Sequence, residues 1–213
     1  MEQSMIDGIV ERYAGAARRL HQAGIDGVEV VASHGYLPAQ FINPRVNRRT
    51  DGYNGELEQR LRFLREVIAA VRAATDEQFI IGLRISADER DPEGLTEDES
   101  LAAVQLLQTQ LDYVHIVAGT SASLGGAVHI VPPMAIEAAY LAKEAGTFKA
   151  GLDIPLFVTG RINQPQEAEL ILARGQADVC GMTRALICDP QMPNKTDTGR
   201  VEDVRACIAC NQA

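Results

Sequence analysis

The sequence predicts an α/β protein, a parallel sheet covered by helices. Three observations predict it. Helical and strand-like patterns alternate along the whole chain. The strand-like runs are short, apolar and β-branched, as strands buried on both faces are. The two longest loops, "HGYLPAQFINPRVNRRTDGYN" and "GTSASLGGAVHIVPP", both follow strands, where α/β folds place their chemistry.

Taken in order, "IVERYAGAARRLHQAG" has helical apolar spacing and stops at Gly24. "DGVEVVA" reads as a strand. "GELEQRLRFLREVIAAVRAAT" reads as a long amphipathic helix and "FIIGLRIS" as the next strand. "TEDESLAAVQLLQTQ" reads as a helix opened by a capping box, Thr96 with Glu99 three residues on. "YVHIVAG" is a strand, "PMAIEAAYLAKEAGTFKAG" a helix, and "PLFVTG" a strand. "PQEAELILARG" is a helix closed by Gly175, and "ADVCGMT" a last strand. About five strands with this rhythm fit either an open doubly wound sheet or part of a (β/α)8 barrel, which needs eight.

Composition narrows the partners. With 213 residues, 46% of them apolar and 23% charged, the chain can bury an ordinary core. A net charge of −9 argues against nucleic acid or an anionic membrane as the main partner, because phosphate backbones recruit basic surfaces. The local run "NPRVNRR" still offers a place for a small anion. No apolar run approaches the roughly 20 residues that span a bilayer. The opening "MEQSMIDG" is acidic and unlike a secretory signal, and four cysteines make no disulfide scaffold. A cytoplasmic protein with a small-molecule partner is the expectation.

Four places carry chemistry. His34 and Tyr36 follow the first strand, where an imidazole and a phenol can bind a polar group and move a proton; packing against Phe41 is the plainer role for His34. Arg84 ends an apolar strand and needs a partner, either a ligand anion or a carboxylate such as Glu29. Gly160 and Arg161 in "TGRI", and Gly181, Thr183 and Arg184 in "GMTR", end the last two strands. In barrels such loops form a phosphate site, and the alternative is surface arginines. Cys207 and Cys210 form a C-x-x-C pair, open to redox, zinc or cluster roles. Cys180 and Cys188 read as core filler.

The stretches "AGIDGVEVVASHGYLPAQFINPRVNRRTDGYNGELEQRLRFLREVIAAVR", "GLRIS", "TGRIN", "GMTRALICDP" and "CIACNQA" occur in one order and cover nearly the whole chain. Together they resemble the old yellow enzyme superfamily of FMN-dependent (β/α)8 barrels. The iron–sulfur branch is closest: trimethylamine and dimethylamine dehydrogenases, dienoyl-CoA reductases and N-methyl amino acid demethylases. Within it, "VVASHGYLPAQFINPRVNRRTD" and "GTSASLGGAVHIVPPM" look most like the demethylases.

The resemblance implies a partial barrel, about strands 4 to 8 with their helices, in an internal segment of a longer enzyme that is inactive by itself. Residues 1–196 would be the C-terminal part of the FMN-binding barrel and 197–213 the start of a cluster-binding segment. Arg84 would lie at the flavin's pyrimidine edge. Gly160, Arg161, Gly181, Thr183 and Arg184 would hold its phosphate. His34 and Tyr36 would face the substrate. Cys207 and Cys210 would be two ligands of a 4Fe-4S cluster. Val31 stands where ene reductases often have histidine, which argues against a simple ene reductase. Asn54, Glu56 and Gln59 depart from the usual pattern but leave Arg60. The implied reaction is oxidative demethylation of an N-methylated amine or amino acid, with electrons passing by FMN and the cluster to an electron-transfer partner. An ene reductase using NAD(P)H is the alternative. A non-catalytic half-barrel that binds flavin or completes a partner is a third reading, and an open sheet edge allows homo-oligomers.

Overall fold

The computed structural model describes residues 1–212. Helix α1 (Gln3–Gln22) precedes strand β1 (Gly27–Ala32). Then follow α2 (Leu37–Ile42), α3 (Leu57–Arg60), α4 (Arg62–Ala73), β2 (Ile80–Asp88), α5 (Glu97–Leu107), β3 (Tyr113–Ala118), α6 (Leu124–Ile130) and α7 (Ala142–Gly151). The chain continues through β4 (Leu156–Val158), α8 (Pro165–Ala173), β5 (Val179–Cys180), α9 (Thr183–Cys188) and α10 (Met192–Asp197).

The strands form one parallel sheet in the order β1-β2-β3-β4-β5. That order decides between the two closures. A doubly wound sheet reverses its strand order at a switch point. Here every strand lies beside its sequence neighbour, as in consecutive units of a (β/α)8 barrel. The architecture is α/β, a partial barrel.

The helices cover one face of the sheet. Helix α4 carries Phe63, Leu64, Val67, Ile68 and Val71 on one side, all buried. They join Val30, Ile81, Leu83, Ile85, Val114, Ile116, Leu156 and Val158 in one core. Each such side chain stabilises the fold by roughly 1.5–3 kcal/mol. Side chains alternate across a strand, so the registers Val31↔Arg84, Arg84↔His115 and His115↔Phe157 put those residues on the opposite face. The close approach of Gly82 to Tyr113 belongs to that face: a Cβ on Gly82 would meet Tyr113 Cζ at 2.1 Å. Tyr113 stacks on Phe157 with ring centroids 4.4 Å apart. Glu29, Arg84, Tyr113, His115, Phe157 and Thr159 there are only half-buried.

Several elements differ from the sequence expectation. The helix expected across residues 133–151 begins only at Ala142. Residues 132–141 instead run irregularly past the ends of β4 and β5, with Ala139 at φ 52 and its N–H donated to the Arg161 carbonyl (3.0 Å). The long loops each contain a short helix, α2 and α6. The last strand pairs over only Val179 and Cys180, although Gly181 N–H still reaches Val158 O at 2.8 Å. The capping box at Thr96 is half made. Its hydroxyl accepts from Glu99 N–H (3.3 Å), but the Glu99 carboxylate turns to Arg60 (2.6 Å). Cys180 packs against the core below α8, while Cys188 is half-buried and outside that cluster.

Candidate functional site

At the C-terminal ends of β2 to β5 lies a cavity of about 330 Å³, within the roughly 300–1,000 Å³ range of small-molecule pockets. Arg84, Thr159, Gly160, Arg161, Gly181, Thr183 and Arg184 line it. Sequence reading named six of these seven. The fold brings them together because the turns after β4 and β5 are adjacent, while Arg84, expected to end its strand, reaches the cavity from the middle of β2.

The three arginines are differently held. Arg161, at φ 52, donates from Nη1 to the Ile136 carbonyl, and its buried Nε has no partner. Arg184 donates from Nη1 to Pro132 O (2.8 Å) and Asn211 Oδ1 (2.7 Å). Arg84 has Glu29 as its carboxylate, at 4.0 Å, and its Nε is also buried without a partner. A guanidinium offers five donors. Each of these therefore keeps donor capacity and positive charge beside the cavity. Buried donors left unmet are costly, and an anionic ligand would meet them.

Gly181 sets the floor. A Cβ there would come within 2.0 Å of Thr159 Oγ1, so this close approach excludes any side chain. Thr159 hydrogen-bonds His115 Nε2 (2.7 Å), and His115 Nδ1 reaches Glu29 Oε2 (3.0 Å). Tyr113 donates to the same Glu29 oxygen (3.1 Å). Burial pushes the Glu29 carboxyl up, but His115, Tyr113 and the Arg84 charge outweigh it and hold it below the usual range. Burial, and then the charge and hydrogen bond of Glu29, push the Tyr113 phenol up to about 12.

His34 and Tyr36 do not line this cavity. His34 sits in the turn after β1 at φ 59, its N–H facing Ser86 Oγ (3.4 Å) and its carbonyl accepting from Ser121 N–H (3.3 Å). Its Nδ1 is buried without a partner. Burial and then the Arg84 charge pull the imidazole down to about 4, so it is neutral at neutral pH. Phe41, its suggested packing partner, is stacked on Phe63 in the core. Tyr36 is 62% exposed.

Cys207 is half-buried and Cys210 exposed. Among the described residues no group of three or more His, Cys, Asp or Glu side chains is placed to hold a metal ion. The residues present do not make up a four-ligand cluster site. No helix among them is long and apolar enough to cross a membrane.

Sequence reading missed the wall formed by His129, Ile130, Val131, Pro132 and Tyr140. No local signal in the sequence marked it, since Pro133 opens the expected helix at a position where proline is tolerated. It also missed the Glu29–His115–Thr159 chain. Polar residues alternating within "GVEVVA" and "YVHIVA" pointed to it.

Comparison with known proteins gives this geometry a family. The profile of the NADH:flavin oxidoreductase / NADH oxidase family matches residues 1–203. A metal reductase of Desulforamulus reducens is 39% identical over 100% of this chain and 31% of its own length. An N,N-dimethylglycine/sarcosine dehydrogenase of Chromohalobacter salexigens is 34% identical over 99% of this chain and 31% of its own. The structure of a 2-naphthoyl-CoA reductase in complex with 2-naphthoyl-CoA superposes with a TM-score of 0.93 at 32% identity, covering 100% of this chain and 32% of that one. The chain thus spans about a third of the length of the relatives it matches.

Proposed function

The chain belongs to the NADH:flavin oxidoreductase / NADH oxidase family, which makes it part of an old yellow enzyme-type oxidoreductase, and from that premise we propose that it carries the FMN site of an enzyme that oxidatively demethylates an N-methylated amine or amino acid. The observation that carries the reading is the convergence of Arg84, Gly160, Arg161, Gly181, Thr183 and Arg184 on one cavity. The residues fit FMN on structural grounds. Two guanidinium Nε atoms are buried and unpaired, and a floor glycine admits no side chain.

Arg161 and Arg184 would hold the phosphate by charge-assisted hydrogen bonds, with Thr183 and the backbone at Gly160 and Gly181 beside them. Arg84 would keep a positive charge at the ring. FMN, when bound, supplies a ring that accepts hydride. His34, neutral at neutral pH, carries no charge that would repel a cationic amine. Tyr36 would orient the substrate from the open side. Loss of hydride from the N-methyl carbon leaves an iminium, and water converts it to the demethylated amine and formaldehyde. Cys207 and Cys210 would supply two thiolates toward a 4Fe-4S cluster, no group of three or more ligands being assembled among the described residues. The two electrons would pass on to an acceptor protein.

Likeness to the 2-naphthoyl-CoA reductase favours a second reading, an NAD(P)H-dependent reductase of conjugated thioesters. Anaerobic mixing of the native protein with sarcosine, N,N-dimethylglycine or N-methylproline tests the first. Bleaching of the flavin band with formaldehyde released in equal amount supports demethylation. Bleaching by NADH alone, reversed by an enoyl thioester, supports reduction. A purified protein that retains no FMN overturns both.

A further inference from the structure

Beneath the cavity, the Glu29 carboxylate is held from three sides. Tyr113 donates at 3.1 Å, His115 Nδ1 lies at 3.0 Å, and Arg84 Nη1 stands off at 4.0 Å. These residues come from three adjacent strands and share the half-covered face of the sheet. The spacing is unequal in a telling way. Glu29 spends its Oε2 on the phenol and the imidazole, and only its Oε1 faces Arg84, beyond hydrogen-bond range. Arg84 therefore feels the negative charge of Glu29 without being locked to it. Its Nε is unpaired and it lines the cavity. On the far side, His115 is tied by Nε2 to Thr159, which lines the same cavity against Gly181. Glu29 does not line the cavity, so it can act there only through Arg84 and His115.

We propose that Glu29 is a positioning residue that sets how much positive charge Arg84 presents to the flavin, with Tyr113 and His115 holding its carboxylate at that stand-off distance. The inference rests on the FMN reading above. A carboxylate near the guanidinium partly cancels its field. Removing that charge strengthens the field, favours the reduced, negatively charged ring and raises the reduction potential. Removing the Tyr113 phenol does the opposite. It takes away a hydrogen bond that disperses the carboxylate's charge and frees Oε2 to turn to Arg84.

The test is spectroelectrochemical titration of bound FMN in the full native protein, comparing wild type with Glu29→Gln and Tyr113→Phe. Glu29→Gln is expected to shift the oxidised–reduced equilibrium about tenfold toward the reduced form, which is about 30 mV for a two-electron couple. Tyr113→Phe is expected to shift it at least twofold the other way. A Glu29→Gln protein that folds and binds FMN with less than a twofold change overturns the proposal and leaves the FMN reading intact. Should Glu29→Gln not fold, Tyr113→Phe decides alone: a shift toward the oxidised form supports the proposal, and no shift overturns it. A wild-type protein without FMN overturns the functional reading, and this inference with it.

Discussion

Gly181 lies against Thr159 so closely that a Cβ on the glycine would stand 2.0 Å from the threonine Oγ1. The contact joins the ends of β4 and β5, and the same hydroxyl is fixed from below by His115. Gly181→Ala must push Thr159 off His115 or move the turn. Overpacking of this kind costs about 1–3 kcal/mol. Urea denaturation should show that loss, with a larger proportional loss of flavin affinity. Normal stability together with normal flavin affinity would mean the turn is free to move.

The phosphate assignment makes a separate prediction. Arg161→Ala and Arg184→Ala each remove a charge-assisted contact of roughly 1.5–3 kcal/mol. Flavin affinity should fall by about one to two decades. Both side chains also brace the 132–136 segment, Arg184 through Pro132 O and Arg161 through Ile136 O. Fluorescence titration of the deflavinated native protein with FMN checks the loss. Riboflavin, lacking the phosphate, should bind wild type and both variants about equally. A matching loss for riboflavin would assign the effect to the disturbed segment instead.

What was legible in the sequence followed from what is local. The parallel sheet could be read because each β-branched run is followed by a helix that returns the chain to the same end of the sheet. The strand order that separates a barrel from a doubly wound sheet is not a local property. Arg84 could be read because a charged residue in an apolar strand needs a partner, and Arg161 and Arg184 because each follows a strand beside a glycine. The segment 132–141 could not. Its apolar spacing continues that of α7, yet its carbonyls at Pro132 and Ile136 are taken by arginines about 25 to 52 residues away. The placement of His34 and Tyr36 outside the arginine-lined cavity was equally hidden. It depends on the left-handed turn at His34 and on Gly35, where a Cβ would meet Ser121 Oγ at 2.2 Å.

His34 gives a pH signature. Its folded pKa, about 4, lies below the unfolded value near 6.5. Between these values the unfolded chain binds more protons, so stability rises with pH. The contribution of the neutral imidazole is fully present above about pH 6.5 and is lost as pH falls toward 4. His34→Asn, which tolerates the left-handed backbone, should flatten the wild-type loss of stability between pH 7 and pH 4.5. Denaturation midpoints at four or five pH values test this. Parallel curves for the two proteins would place His34 in water.

The last prediction concerns the segment that carries the cysteine pair. Asp189 is buried and gathers three donors: Lys195 Nζ (2.7 Å), Gln191 N–H (3.1 Å) and Arg205 N–H (2.9 Å). The Lys195 and Arg205 bonds lead the causes that hold its carboxyl down to about 2. The Arg205 contact spans 16 residues and fixes the chain two residues before Cys207. Lys195 adds a bond to Asp203 O (2.9 Å), so one carboxylate pins both ends of the turn. Asp189→Asn keeps the size but loses the charge and leaves an amide facing donors. The segment from about 198 onward should loosen, with faster amide exchange there and faster alkylation of Cys207, the half-buried thiol, than of Cys210. The same contact should weaken in wild type as pH falls from about 4 toward 2, because a depressed carboxylate pKa gives stability that is present above the unfolded value and lost below it. Exchange and alkylation unchanged by Asp189→Asn would mean that the cysteine segment is held by something other than this carboxylate.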